Sequence, residues 1–319
     1  MPMHVNVDNF VQVETARMLH DIQQSAGGVN VLSHKRQPAP IDEQTVIRLN
    51  RDTLYSFAVV DVSHGADLTL PETDGRYLSA MVVNEGHYVV DVLHDAGVHH
   101  LTADRVGSGH ALVALRTLVD PNEPADLTAV AAIQDGVVLA AGSSEPFRAP
   151  DYDTVSLDQT RDALLDLARN LTAFDRTFGS REEVDPVRHL IGTAAGWGGL
   201  PTSEAAYVGV DPQVAPGRYE LTLKDVPVDA FWSVSVYNGA GFFEPNASGR
   251  YTLNSVTADR NGDGSVTVRF VPDDSVTGSN TIPVPGGGWN YLVRLYRPRA
   301  AFFDGSWALP SLEPSPPQS

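Results

Sequence analysis

The 319-residue chain contains no cysteine, an absence that excludes disulfides, thiolate metal sites and a thiol nucleophile together. Lysine is almost missing too, present only as Lys35 and Lys224, so arginine supplies nearly all the positive charge. Lys and Arg number 22 against 40 Asp and Glu, and the formal charge of -18 repels phosphate backbones and anionic headgroups. Nucleic acid and membrane surfaces are therefore not expected partners. No stretch reaches membrane-spanning length, and the opening MPMHVNVDNF has neither a basic nor an apolar leader region, so a cytoplasmic location is expected. Also lacking are G-x-S-x-G, H-E-x-x-H, a P-loop and a G-x-G-x-x-G that opens a helix. An α/β serine hydrolase, a zincin, a nucleoside triphosphatase and a dinucleotide oxidoreductase lose their usual warrant, and no cofactor is expected.

What is present is a strand-rich pattern. Hydrophobic residues make up 42% of the chain, enough at this length for two cores. Val11, Met18, Leu19 and Ile22 predict a short opening helix that Gly27-Gly28 stops. Val46 to Val62 reads as a buried strand interrupted by Asn50-Arg51-Asp52, followed by strands over 76–83, 88–93 and 111–119 at the spacing of a meander. A polar loop from Asp120, a helix over 127–134 and a Pro-punctuated linker near 147–153 come next. Ser156 is placed to cap a connector helix running to Phe174, with Leu157, Leu164, Leu167, Leu171 and Phe174 on one face. After Trp197, strands over 217–223, 230–237, 250–255, 265–271 and 291–296 argue for a sandwich or jelly roll. The expected fold class is mainly β (α+β): two β-sandwich or jelly-roll-like domains, 1–150 and 201–310, joined by a helical connector, 151–200. Residues 311–319, rich in Pro and Ser, are expected not to fold.

Four histidines, His87, His94, His99 and His100, form the densest group of titratable rings. Side chains four apart on one strand stand about 13 Å apart, so His87 and Asp91 cannot share an ion. A hairpin loop over 95–98 would instead bring His94 and His99 opposite one another, with Cβ atoms about 5 Å apart, but no third ligand is assigned. Solvated histidines at a hairpin end are the plainer alternative, and no metal is expected. Asp259-Arg260-Asn261-Gly262-Asp263-Gly264 follows the first half of a calcium loop, yet Phe270 stands at the twelfth position, where the acid belongs. A hairpin turn at Asp263-Gly264 fits the run better.

Asn50-Arg51-Asp52-Thr53-Leu54-Tyr55 sets charge inside an apolar strand. In extended chain Arg51 shares a face with Tyr55, and Asp52 with Leu54 and Ser56, so the adjacent charges cannot pair and each needs a distant partner. A buried Arg-carboxylate pair or a ligand-facing site would satisfy them. Farther on, alternation groups Trp232 with Asn238, Ser233 with Ser235 and Tyr237, and Asn290 with Arg294 and Tyr296. Rings, amides and an arginine suit a small-molecule cleft, and equally a wet sandwich face.

The runs NRDTLYSFAVVDV and GRYLSAMVVNEGHYV resemble the N-terminal domain of unknown function numbered twelve-fifty-four. GWGGLP, FWSVSVYN, NGDGSVTVRF and GWNYLVRLYRPRAAFFDGSW resemble its usual C-terminal companion, numbered twelve-fourteen. The resemblance spans almost the whole chain and implies a two-domain β protein of bacterial origin, in the short form without a signal peptide, with no agreed reaction. The leading expectation is a hydrolase or lyase acting on a small organic molecule in an inter-domain cleft. His87 is the candidate base, Tyr55 or Tyr88 the acid, Asp52 a further acid-base group, and Arg51 or Arg294 the group that orients an anionic or carbonyl oxygen. Asn50, Trp197, Trp232, Asn238, Asn290 and Tyr296 complete the expected substrate-binding set. A non-catalytic module holding a sugar or metabolite is the rival, and a structural protein with Arg51 and Asp52 paired in its core is the third reading. The expected partner is a small-molecule ligand, with a second copy of the chain as a further candidate.

Overall fold

Turns of glycine, asparagine and aspartate divide the chain into short strands, and the computed structural model describes residues 1–44, 47–169, 171, 173–272 and 278–315. The fold is mainly β, with four sheets distributed over two units. The first unit comprises Met1–Arg36, Leu54–Leu118 and Thr128–Thr202; the second comprises Gln37–Thr53, Val119–Leu127 and Ser203–Ser319. Two stretches expected in the first domain, 37–53 and 119–127, thus belong to the second unit, and the helices expected as a connector belong to the first.

Up to residue 202 the elements are α1 (Phe10–Ala26), β1 (Ser33–His34), β2 (Thr53–Asp61), β3 (Ala66–Leu70), β4 (Leu78–Asn84), β5 (Val89–Leu93), β6 (Gly97–Leu101), α2 (Ala103–Val106), β7 (His110–Leu118), α3 (Pro124–Asp135), β8 (Val138–Ala141), α4 (Thr154–Ala168) and α5 (Pro186–Ala195). One sheet has the order β1-β2-β7-β4-β5 and another β6-β3-β8. Period-two alternation turns Ala58 and Val60 of β2, Ala80 and Val82 of β4, and Val113 and Leu115 of β7 toward Leu68 and Leu70 of β3, and these residues form one core. The opposite face of the larger sheet consequently carries Tyr55, Ser79 and Arg116, the last two directly paired in register. The strand expected from Val46 begins only at Thr53; Val46 itself lies outside the described residues, and the polar triplet precedes the strand rather than interrupting it.

A second apolar cluster of this unit joins Phe10 and Val13 of α1 to Leu157 and Leu164 of α4 and Ile191 of α5. The cap of α4 is Asp153, whose carboxylate accepts from the backbone N–H of Val155 and Ser156; Ser156 itself spends its hydroxyl on the Val5 N–H, 2.9 Å away. The helix ends at Ala168, and Leu167 and Phe174 are exposed, so the leucine face is shorter than its sequence spacing predicts. Leu164→Ala is expected to lower stability by about 3 kcal/mol through the cavity it leaves, while the exposed Asp162→Ala changes nothing measurable. Identical thermal unfolding of the two variants and the parent would mean that this face packs nothing.

Beyond residue 202 come β9 (Ala205–Val210), β10 (Tyr219–Leu223), β11 (Trp232–Tyr237), β12 (Thr252–Asn254), β13 (Val266–Val271), β14 (Thr281–Pro283), β15 (Asn290–Tyr296), α6 (Ala300–Phe303) and β16 (Glu313–Pro314). They build two four-stranded sheets, β14-β13-β10-β16 and β12-β11-β15-β9. Trp232, Val234 and Val236 of β11 and Tyr291, Val293 and Leu295 of β15 share a core with Leu221, Val268 and Phe270 of the other sheet, which makes this unit a sandwich. Alternation then puts Ser233, Ser235 and Tyr237 on the outer face beside Arg294 and Tyr296, with Ser233 opposite Arg294. In the segment expected not to fold, Glu313 and Pro314 pair antiparallel with Glu220 and Tyr219; residues 316–319 lie outside the described residues.

Candidate functional site

On the outer face of β11 and β15, Asp52 finds the partners its sequence position demands. Its carboxylate is fully buried and accepts from Ser233 Oγ at 2.5 Å and Thr252 Oγ1 at 2.8 Å, with Arg294 Nη1 3.8 Å from Oδ2. Arg294, also buried, donates to Ser235 Oγ (2.7 Å), Tyr237 Oη (2.8 Å) and the Arg48 carbonyl (2.8 Å). Burial raises the Tyr237 pKa, so its phenol stays neutral and donates a hydrogen bond to the Leu49 carbonyl, 2.9 Å away. Every charge here is satisfied from inside the second unit, the arrangement of a packing network rather than a ligand site.

The other expected residues of that unit are occupied as well. Arg51 is half-buried, donates to the Ala39 carbonyl at 2.8 Å and lies over the Tyr251 ring at 5.4 Å, where burial pushes its pKa down. Asn50 donates to Thr53 Oγ1 and Tyr296 Oη, both at 3.1 Å, and its Oδ1 accepts from the Asp52 N–H. Trp232 is a core residue, not a ligand platform. Asn238 closes its own loop by accepting from the N–H groups of Ala240 and Phe242, and Asn290 donates to the Asn238 carbonyl.

In the first unit the turn from Asn84 to Tyr88 joins β4 to β5, and Asn84 Oδ1 holds it by accepting from the N–H groups of Gly86 and Tyr88, each at 3.0 Å. His87 adopts φ 61°, a left-handed conformation uncommon for any residue but glycine, and its ring is buried. Thr193 Oγ1 donates to the His189 carbonyl at 2.8 Å and therefore accepts from His87 Nδ1, also at 2.8 Å. Nε2 accepts from the Gly198 N–H at 3.0 Å. Both nitrogens are thus committed in one neutral tautomer. Burial, followed by the nearby His189, pushes the His87 pKa down to about 3. The role of general base is lost: the lone pair already has its donor, and the ring does not take a proton near neutrality.

His87 instead sits inside a column of rings. Tyr88 stacks on His189 at 4.6 Å, His189 on His87 at 5.4 Å, and His87 on Trp197 at 5.3 Å. Trp197 Nε1 donates to Thr15 Oγ1 on α1. Arg116 donates to the Gly198 carbonyl at 2.8 Å and lies over the Tyr55 ring at 5.3 Å, which links Tyr55 to the same assembly. Packing behind Thr193 is tight enough to require glycine at 192, since a Cβ there would fall 2.0 Å from Thr177 Cγ2.

Tyr88, half-buried at one end of this column, lines a groove of about 960 Å³ whose walls include Val13, Ala16, Asn84, Glu85, Val90, Phe147, Arg148 and Arg181. Glu85 accepts from the His110 N–H at 2.9 Å; bonding to His110 lowers the Glu85 pKa, and Glu85 in turn raises that of His110. Arg105, also on the groove, is ion-paired with Asp91. Arg116, Thr193, Gly198, Arg148 and Arg181 were not foreseen. Arg116 carries the very signal that singled out Arg51, a charge within an apolar β run.

Among the described residues no group of three or more His, Asp or Glu could hold a metal ion. His94 and His99 are not cross-strand neighbours, because β6 pairs with β3 and sets His99 opposite Leu68; their rings contact the Leu78 and Asp95 carbonyls. The run from Asp259 is a turn in which Gly264 N–H donates to the Asn261 carbonyl, and Asp263 is taken by Ser265 and Lys224.

Residues 29–93 match a family model described as "Protein of unknown function (DUF1254)", and residues 211–300 match "Protein of unknown function (DUF1214)". The chain is a DUF1254–DUF1214 protein. The crystal structure of the VPA0106 protein from Vibrio parahaemolyticus is similar, with a TM-score of 0.73 at 17% identity over 97% of this chain and 99% of that one. A putative uncharacterized protein from Burkholderia cenocepacia superposes with a TM-score of 0.51 at 13% identity, covering 90% and 84% of the two chains. At such identities the likeness speaks for the fold alone. A search of curated proteins found no match. No described helix of this DUF1254–DUF1214 chain is long and apolar enough to cross a membrane.

Proposed function

We propose that the protein is a small-molecule-binding module whose ligand seats in the first unit's groove against Tyr88. The groove itself carries the reading: its volume of about 960 Å³ is that of a ligand site, and the half-buried Tyr88 ring in its wall is backed by three further stacked rings. A ring held so firmly loses little freedom when a ligand packs on it, which favours binding. A hydrolase or lyase needs a positioned base, and the two groups best suited by type are engaged elsewhere: His87 through both nitrogens, Asp52 through two hydroxyls in the second unit.

Saturation-transfer NMR against a library of small aromatic and aliphatic fragments tests the proposal. The parent is expected to give hits that Tyr88→Ala loses by about tenfold or more in affinity, with folding preserved by circular dichroism. Fragments that bind parent and variant alike, or a library without hits on the parent, would refute it.

A further inference from the structure

The charges around the groove identify the class of ligand, an inference that rests on the binding role just proposed. Carboxylates outnumber cationic side chains 40 to 22 in this chain, and the groove's own Arg105, like Arg17, Arg36, Arg161 and Arg299 elsewhere, is matched with one. Arg148 and Arg181 differ. Both line the groove, both are exposed, and among the described residues neither guanidinium has a hydrogen bond or a carboxylate partner. Arg181 lies over the Tyr88 ring, 5.9 Å from its centroid, so one cation stands directly beside the stacking surface.

Acidic groups share the wall and must be weighed. Glu85 is already engaged by His110, which leaves Glu182 as the acid of the groove without a partner among the described residues. Two unmatched guanidinium groups against one carboxylate leave a cationic surplus. A planar fork of N–H donors matches a carboxylate in two parallel hydrogen bonds, whereas a neutral ligand would leave those donors to water. Tyr88, Phe147 and Val90 supply the flat apolar surface for the rest of the molecule. We infer that the groove binds a small organic carboxylate with a flat, apolar or aromatic body, its anion held by Arg148 and Arg181 and its body against Tyr88.

Isothermal titration of the whole protein with benzoate, 4-hydroxybenzoate and phenylacetate, each set against its neutral amide, provides the test. The acids are expected to bind about tenfold more tightly than the amides. Arg148→Gln and Arg181→Gln should each remove most of that margin, and added salt should erode it, because exposed guanidinium groups are screened. Glu182→Gln should strengthen acid binding. Amides binding as well as acids, with both arginine variants silent, would overturn the carboxylate assignment and leave the groove reading intact. Acids that bind equally to parent and Tyr88→Ala would place their site outside the groove and overturn both. Failure of every acid to bind overturns the carboxylate assignment, and the fragment screen then decides the groove separately.

Discussion

Arg294→Met is expected to destabilise the second unit by about 3–5 kcal/mol, because it strands the Asp52 carboxylate in a buried site that has been built for an ion pair. The variant loses donors to Ser235, Tyr237 and the Arg48 carbonyl at the same time, and methionine offers nothing to replace them. Arg51→Met supplies the contrast. Arg51 is half-buried, makes one hydrogen bond to a carbonyl and rests on an aromatic face, so its removal should cost only about 1 kcal/mol. Adding Asp52→Ala to Arg294→Met should cost less than the two single effects combined, since the second change removes the very charge that the first left unpaired. Urea unfolding followed by intrinsic fluorescence reads all four variants, the single Asp52→Ala included. A parent-like midpoint for Arg294→Met together with collapse of Arg51→Met would reverse the assignment and make Arg51 the structural residue.

The sequence made this network half legible. Opposite charges side by side in an apolar neighbourhood signalled that Asp52 needed a remote partner, and Arg294 stood out on β15 as a candidate. What misled was the strand period. Asn50 Oδ1 accepts from the Asp52 N–H and forms a local turn, so the extended alternation used to divide Arg51 from Asp52 does not begin until Thr53. In the second unit β10, β11, β12, β13 and β15 were visible because Gly, Asn or Asp turns punctuate the chain around them, whereas β9, β14 and β16 were not. β3, β6 and β8 were not visible either, for their sheet depends on pairing between segments far apart in the chain, as with Asp67 and His100. For the same reason the pairing of His94 with His99, which required a local hairpin, does not form: β6 pairs with a distant strand. Groove residues were still harder to foresee. Val13, Tyr88, Arg105, Phe147 and Arg181 come from five separate stretches of chain, and only tertiary packing gathers them.

His87 gives the first unit a stability that fails in mild acid, and the sign follows from which state takes the proton. In the unfolded chain the imidazole titrates at its ordinary value of 6.5; in the folded unit burial and His189 hold it down to about 3. Above 6.5 both states are neutral and the contribution is fully present. As the pH falls below 6.5 the unfolded chain is protonated first, and stability drops by about 1.4 kcal/mol per pH unit until the folded-state value is reached. Between pH 6.5 and 5, before most carboxylates titrate, the expected loss is about 2 kcal/mol. His87→Asn isolates it, because asparagine tolerates the left-handed backbone at this position and cannot titrate. The variant will be less stable at every pH, having lost the ring and its bonds to Thr193 and Gly198, but its stability should be flatter across that window. His110, whose pKa is raised by Glu85, contributes a slope of opposite sign, which cancels between parent and variant. Urea midpoints at closely spaced pH values from 8 to 5 measure the difference. Parallel pH profiles for the two proteins would show that His87 is protonated in the fold, and that the tautomer fixed by Thr193 and Gly198 is not the one the protein holds.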